Sequence, residues 1–381
     1  MNIRIILLIL IAGFLNIFSI SGAAHEMHFN DYVVWISPFV LCWAAYKTRY
    51  QKILPSWLQT VAVVITGIFL VLAISDYEPK AKQFLNMLTV FGIVLWAQLF
   101  TILKWKDVNL FKLGLTSGIF AIILINFFLP GNIWSGWSGN SAIGMLPMLM
   151  LGLCCVWCSE HRYKKIYAAI LFLIPLWEVS QLENRSSLFS LLLLAMVTLS
   201  GFCIKKRKWF RVFYISLLLG NILIPVFNEM VSNMNLFKDV LDIGEEMTGK
   251  TSQDAAFNAR DFLWASAFKY LDNHPFFGLA GVRPFYSHNF STDVLMEFGL
   301  IGWILFMVMM VFVMEKSFKE GSRYNLFLIA VGCLVFMDTF ENMLAGNDFF
   351  TIFTYCLPAA ALSLNHSNSR NTLRRNCQRN I

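Results

Sequence analysis

Residues 286–306 read YSHNFSTDVLMEFGLIGWILF. The first half is polar and carries His288, Asn289, Asp293 and Glu297, whereas the second half is an apolar run of the kind that enters a bilayer. A histidine on the threshold of such a helix raises the question of what it does there. The composition around it answers for the fold class. The chain has 381 residues, of which 57% are hydrophobic and 14% charged, with a mean hydropathy of +0.62. Soluble domains carry about 25% charged residues, so the chain reads as an all-α polytopic membrane protein. Its 36 Phe and 12 Trp suit a lipid-facing surface with interfacial aromatics.

Working outward from that stretch, apolar runs fall at roughly 5–21, 32–46, 57–75, 84–103, 113–130, 142–158, 166–181, 186–204, 212–227, 293–314, 326–343 and 349–364. They predict about twelve transmembrane helices, several of them short for a span of about 17–25 residues. The connections after the even-numbered runs are basic: KTRYQK (47–52), KWKDVNLFK (104–112), HRYKK (161–165), KKRKWFR (205–211), EKSFKEGSR (315–323) and the tail RNTLRRNCQRN (370–380). With Arg4 they hold 22 of the 30 Lys and Arg. The positive-inside rule places them, and both termini, in the cytoplasm of a cell whose inner membrane holds the chain. The net charge of +7 is thus a topology signal, and no nucleic-acid partner is expected.

Arg4, the run that follows it and SGAA (21–24) also have the shape of a cleaved signal peptide, although a retained first helix is the expectation for a polytopic chain. The eight cysteines, Cys42, Cys154, Cys155, Cys158, Cys203, Cys333, Cys356 and Cys377, fall in spans or on the cytoplasmic side, which predicts no disulfide framework. CCVWC (154–158) lacks a second ligand pair at zinc spacing, so neither metal nor other cofactor is expected.

One connection is long, and it sets the domain organisation: helices one to nine over 1–227, an external loop over 228–292, helices ten to twelve over 293–364, and a basic tail over 365–381. Long extramembrane loops in an economical chain tend to carry function. Within this one, DAAFNARDFLWASAFKYL (254–271) repeats Phe257, Trp264, Phe268 and Leu271 at helical spacing, predicting an amphipathic helix on the membrane surface or on the bundle. NHPFFGLAGVRPFYSHN (273–289) then reads as turns, and Ser291 or Thr292 is positioned to cap the next helix. The runs display no clear internal repeat and no clear Gly- or Pro-broken helix at mid-membrane.

The external cations are few, which singles them out. Arg185 lies at the tight turn between runs seven and eight, Arg260 on the amphipathic helix and Arg283 in the Gly/Pro-rich turns. Each has an ordinary reading: snorkelling to the headgroups for Arg185, solvation or pairing with Asp261 or Glu297 for Arg260, lipid phosphate for Arg283. A lone His288 would also be ordinary. Together they fit one chemistry, because guanidinium groups bind phosphate oxygens bidentately and an imidazole can accept a proton from a hydroxyl. A lipid-linked glycan, with a pyrophosphate at the headgroups and sugars in water, suits such a site.

The order Arg260, Trp264, His274–Pro275, Gly278, Gly281, His288–Asn289, Glu297, Gly299, Gly302 resembles the O-antigen ligase and polysaccharide polymerase family, as does ENRSSLFSLL around Arg185. The family often has Ser/Thr–Arg–Gly where this chain has Asn184–Arg185–Ser186. The resemblance implies metal-independent, inverting transfer of a glycan from undecaprenyl pyrophosphate on the periplasmic face. His288 would be the base, Arg185, Arg260 and Arg283 would bind the pyrophosphate, and Asn289 and Glu297 would support them. Glu297 is equally well read as a charge complementing the helix dipole; Asp338, Glu341 and Asn342, near the outer end of run eleven, read first as solvated outer-rim residues and second as lining for an acceptor channel. The implied partners are undecaprenyl-pyrophosphate-linked oligosaccharide, a growing glycan or lipid A–core as acceptor, a chain-length regulator and other envelope assembly proteins, and membrane lipids. Polymerase is the first reading and ligase the second. A flippase for the same units, or a structural assembly partner in which His288 is dispensable, are the readings from other classes.

Overall fold

Small residues decide how closely the first described helices approach. Gly114 and Gly118, four apart on one helix, face Gly152 on the next. A Cβ on Gly114 would stand 2.7 Å from the Gly152 carbonyl oxygen, and one on Gly152 would stand 2.8 Å from the Gly118 Cα. Ser117 between them donates to the Met148 carbonyl at 2.8 Å. In lipid there is no hydrophobic drive between helices, so backbone proximity and interhelical hydrogen bonds supply the association.

These helices belong to a computed structural model that describes residues 43, 46, 55–76, 97, 100, 101, 103, 105–126, 144–182, 184–227, 257–282, 284, 285, 287–339 and 354–365. The regular elements among them are helical: α1 (Ser56–Asp76), α2 (Leu110–Asn126), α3 (Leu146–Cys158), α4 (Lys164–Gln181), α5 (Arg185–Ser200), α6 (Arg207–Val226), α7 (Phe257–Asn273), α8 (Phe290–Ser317), α9 (Leu326–Met337) and α10 (Cys356–Asn365). Only α6 and α8, among the described residues, are both long and apolar enough to cross a membrane by length and composition. The predicted runs from 57–75 onward each contain one of these helices apart from 84–103, which, like 5–21 and 32–46, lies almost wholly outside the described residues. The C-terminal tail lies outside them too.

The helix α9 is the centre of the bundle, packed on α3, α5 and α6, and its described side chains are almost all buried. α2 packs on α3 and α4, while α8 packs on α1, α6 and α7. The predicted amphipathic helix is α7, and it lies on the bundle, with Trp264 and Ala267 buried. The thiols of CCVWC pack in the core, where Cys154 reaches the Leu326 carbonyl and Cys158 the Arg323 carbonyl.

Four basic connections lie among the described residues, at 105–112, 161–165, 205–211 and 315–323, and they gather at one end of the bundle. Arg211 grips Glu315 through two bonds of 2.7 and 3.0 Å, and Tyr214 donates to the same carboxylate. Arg207 donates to the Phe318 carbonyl, Asn325 to the carbonyls of Ile204 and Lys319, and Asn365 to that of Ser317. The start of α5 and the ends of α6 and α9 therefore stand at the opposite end, as the charge pattern requires of an up-and-down bundle.

Gly152→Ala should cost about 1–3 kcal/mol of stability, the usual cost of overpacking, because the atoms it meets are backbone. Gly67→Ala, with open space around its Cβ position, should be neutral or stabilise by up to about 1 kcal/mol. Thermal unfolding of the two variants in detergent distinguishes them.

Candidate active site

α8 is interrupted nine residues in. Gly299 has φ 62° and ψ −167°, a region open essentially to glycine alone, and the interruption removes helical partners from the backbone on either side. The turns at 275–281 supply replacements. The amides of Leu279 and Gly281 donate to the carbonyls of Met296 and Glu297, both at 2.9 Å. The amides of Leu300 and Ile301 donate to the carbonyls of Pro275 and Phe276 at 2.9 and 3.1 Å. So close an approach leaves no room for side chains: a Cβ on Gly299 would stand 2.4 Å from the Phe276 carbonyl carbon, and one on Gly278 2.6 Å from the Gly299 nitrogen. The Glu-x-Gly element thus breaks a helix, and a Gly-broken helix exists where the hydropathy gave no clear sign of it.

The first arm of α8, Phe290–Phe298, is fully buried and carries the candidate base at its entrance. Its cap is Asn289, whose Oδ1 accepts from the Thr292 amide at 2.9 Å; the sequence had pointed to Ser291 or Thr292. His288, half-buried, adopts φ 58°, an uncommon conformation for a residue with a side chain. Both neighbours are held. Ser287 donates its amide to Asp293 Oδ1 at 2.9 Å and accepts the Trp264 indole N–H at 3.0 Å on its carbonyl. The Asn289 amide group donates to the carbonyls of Asn221 at 2.8 Å and Thr339 at 3.0 Å.

The Asn221 acceptor has a covalent cause. Pro225, four residues later in α6, has no N–H to return to it. A carbonyl stranded in a buried helix must find another donor, and Asn289 is that donor. Asn221 also gives its Nδ2 to the Val335 carbonyl and to Thr339 Oγ1, and accepts the Ser291 amide on Oδ1. One buried side chain therefore ties α6, α8 and the end of α9 together beneath His288.

Helix lengths give the site a height. Arg207 meets Phe318, so the start of α6 is level with the end of α8. Asn221 stands ~21 Å along α6 from there, while the second arm of α8 extends ~27 Å beyond Gly299. The ~13 Å first arm thus cannot continue the line of the second: it runs obliquely and brings His288 to about the height of Asn221. Arg185 shares that height. It opens α5 behind its cap Asn184, Ser187 reaches Met337 Sδ at 3.7 Å, and the Phe290 amide donates to the Asp338 carbonyl at 3.2 Å. Arg185 and His288 both adjoin the end of α9.

The other sequence candidates fall as follows. Arg260 lies one helical turn before Trp264 on α7, and its side chain is outside the description. Arg283, Glu341 and Asn342 lie outside the described residues. Glu297 and Asp338 are buried, the Glu297 carbonyl being one of the acceptors at the break. Asn289 is engaged wholly within the protein through the bonds above. Ser287, Asn221, Pro225 and Thr339 were missed, although an asparagine within the apolar run SLLLGNILIPVF, four residues before a proline, is a legible signal.

Comparison with known proteins places this geometry. Residues 181–307, about a third of the chain, match the family described as O-antigen ligase. The matched segment runs from the end of α4 through the oblique arm of α8 and into its second arm, and it bears out the resemblance seen in the sequence. The chain is also 30% identical over 112 residues to a siderophore iron transporter, mirC, of Emericella nidulans; the match covers 29% of this chain and 16% of that protein's length. No solved structure matches.

Asn289→Leu removes a helix cap and the donor to the Asn221 carbonyl, so it should cost at least about 2 kcal/mol. Pro225→Ala in that background returns an amide to the carbonyl and should recover about 1 kcal/mol. A double-mutant cycle by thermal or denaturant unfolding reads the coupling; strict additivity would break the proposed tie.

Proposed function

We propose that the chain is a membrane glycosyltransferase that takes its glycan from an undecaprenyl-pyrophosphate-linked donor on the periplasmic face of the inner membrane. The observation that carries this reading is the held conformation of His288, at the same end and height as Arg185, within the segment that matches the O-antigen ligase family. Both stand ~20 Å above the basic end, short of the ~30 Å hydrocarbon thickness. With the basic end in the cytoplasm, they lie recessed beneath the outer surface, where the pyrophosphate of an isoprenoid carrier would be drawn in by guanidinium groups.

In the reaction, an acceptor hydroxyl oxygen forms a bond to the anomeric carbon while the bond from that carbon to the pyrophosphate oxygen breaks. His288 takes the hydroxyl proton. Arg185, with Arg260 and Arg283 as further candidates, offsets the charge growing on the departing undecaprenyl pyrophosphate. Attack opposite the leaving group inverts the anomeric centre. We read the product as a polysaccharide extended by repeat units, since the short interval between Arg260 and His288 leaves little chain for an elaborate acceptor site. Transfer to lipid A–core is the alternative, and it is the activity that the matched family's description names. A deletion strain separates them: single-repeat glycan indicates a polymerase, and unlinked long chains on the carrier indicate a ligase.

Transport of the same lipid-linked units is favoured by two observations, the glycine-broken helix and the partial likeness to a transporter. Purified protein in detergent, given lipid-linked oligosaccharide, should lengthen or transfer the glycan under the enzyme reading and leave it unchanged under the transport reading. His288→Ala should lower that turnover by about 10²-fold or more while unfolding at the wild-type temperature. Wild-type turnover in the variant would remove the base. Arg185→Lys keeps the charge but loses the bidentate fork, and it should also impair turnover.

A further inference from the structure

A cavity of about 770 Å³ opens at the basic end of the bundle, on the far side from His288. It lies between the segment entering α2, the α3–α4 turn and the start of α9. Lys106, Lys112, His161 and Arg323 line it, and Glu160 is the one acidic side chain among its described lining residues. Arg323 pairs with Glu160, whose side chain is 86% exposed, at 3.0 Å, which leaves the charges of Lys106 and Lys112 in excess in the described lining. Asn109 and Ser159 add polar groups, and the larger part of the remaining wall is apolar, including Phe111, Leu115 and Leu364. The His161 ring is stacked on Phe111, with centroids 3.8 Å apart and planes 9° from parallel, which fixes the imidazole at the rim.

We propose that this cavity is a binding site for the headgroup of an anionic phospholipid. Lys106 and Lys112 receive the phosphodiester, and the apolar part of the wall receives the glycerol and the first methylenes of the acyl chains. The two-part lining carries the choice. A soluble anion would use the cations and leave the apolar wall unexplained, and a neutral lipid would leave the cations unexplained. The position agrees, because basic pockets among helix ends at the cytoplasmic surface suit anionic lipid headgroups. A bound lipid would join three segments that few direct bonds connect: the turn before α2, the α3–α4 turn, and the turn Arg323–Asn325 that opens α9. The proposal does not depend on the chemistry assigned to the opposite end.

The test uses the full chain purified in detergent and native mass spectrometry with dioleoylphosphatidylglycerol, with dioleoylphosphatidylcholine as the neutral comparison and inorganic phosphate as the soluble anion. The expected result is phosphatidylglycerol retained at least fivefold more tightly than phosphatidylcholine, with that preference lost in K106Q/K112Q and kept in K106R/K112R. Both lysines are exposed, so the substitutions should not disturb folding, and an unchanged melting temperature without lipid checks this. Equal binding of the two lipids, or an unchanged preference in K106Q/K112Q, would overturn the site. Protection by phosphate in the absence of any phosphatidylglycerol preference would reassign the cavity to a soluble anion and overturn the lipid.

Discussion

The structure around His288 depends on a backbone exchange. A helix that stops at Gly299 leaves carbonyls and amides without helical partners in a buried place, where each would cost free energy comparable to a lost hydrogen bond. The turns at 275–281 lie against the gap and satisfy both sides, two donors to the first arm and two acceptors to the second. The exchange works only because Gly278 and Gly299 have no side chains to separate the strands of backbone. It converts one long apolar stretch into a spanning arm and an oblique arm, and it is the oblique arm that brings residues 287–289 into the bundle rather than above it.

A second covalent constraint fixes that arm from below. The missing N–H of Pro225 frees the Asn221 carbonyl, and the Asn289 amide both fills that vacancy and holds the end of α9 through Thr339. Trp264 secures the other flank from α7. His288 thus stands between two immobilised neighbours in a conformation that would otherwise be sparsely populated. Strain of this kind, about 1–3 kcal/mol per residue, persists where surrounding contacts over-determine it, and it recurs at functional sites. A separate contact, Ser187 on Met337, brings the start of α5, with Arg185, to the same end of α9. The chemistry we propose asks for little more: a cationic lining for a diphosphate, and one imidazole that does not have to be reoriented when the acceptor arrives.

Much of this could be read from the chain. Charge placement separated the basic connections from the segment with His288, and the four that lie among the described residues meet at one end of the bundle. The helical spacing of Trp264, Phe268 and Leu271 gave α7, and the turn residues of 273–289 gave the segment that crosses the break. The break itself was hidden, because hydropathy averages over a window and one glycine with an unusual ψ leaves an apolar run apolar. The cap was misplaced by a few residues for a related reason: Asn289, Ser291 and Thr292 can all cap, and only the tertiary partners Asn221 and Thr339 decide which does. Asn221 escaped notice because a single amide in an apolar run has no meaning until its neighbours in space are known. Within α2 and α3, Gly114, Gly118 and Gly152 were present as letters, but which glycines face a neighbouring backbone is a property of packing.

The central claim is that His288 and Arg185 work on the side of the membrane opposite the basic connections. Site-directed labelling in intact cells with a membrane-impermeant maleimide addresses it directly, with single cysteines at the exposed positions Asp272 and Glu320 in a background from which the eight native cysteines have been removed. The account predicts that Asp272→Cys is labelled in intact cells and Glu320→Cys only after the membrane is permeabilised. Labelling of Glu320→Cys alone from outside, or of both positions equally, would contradict it.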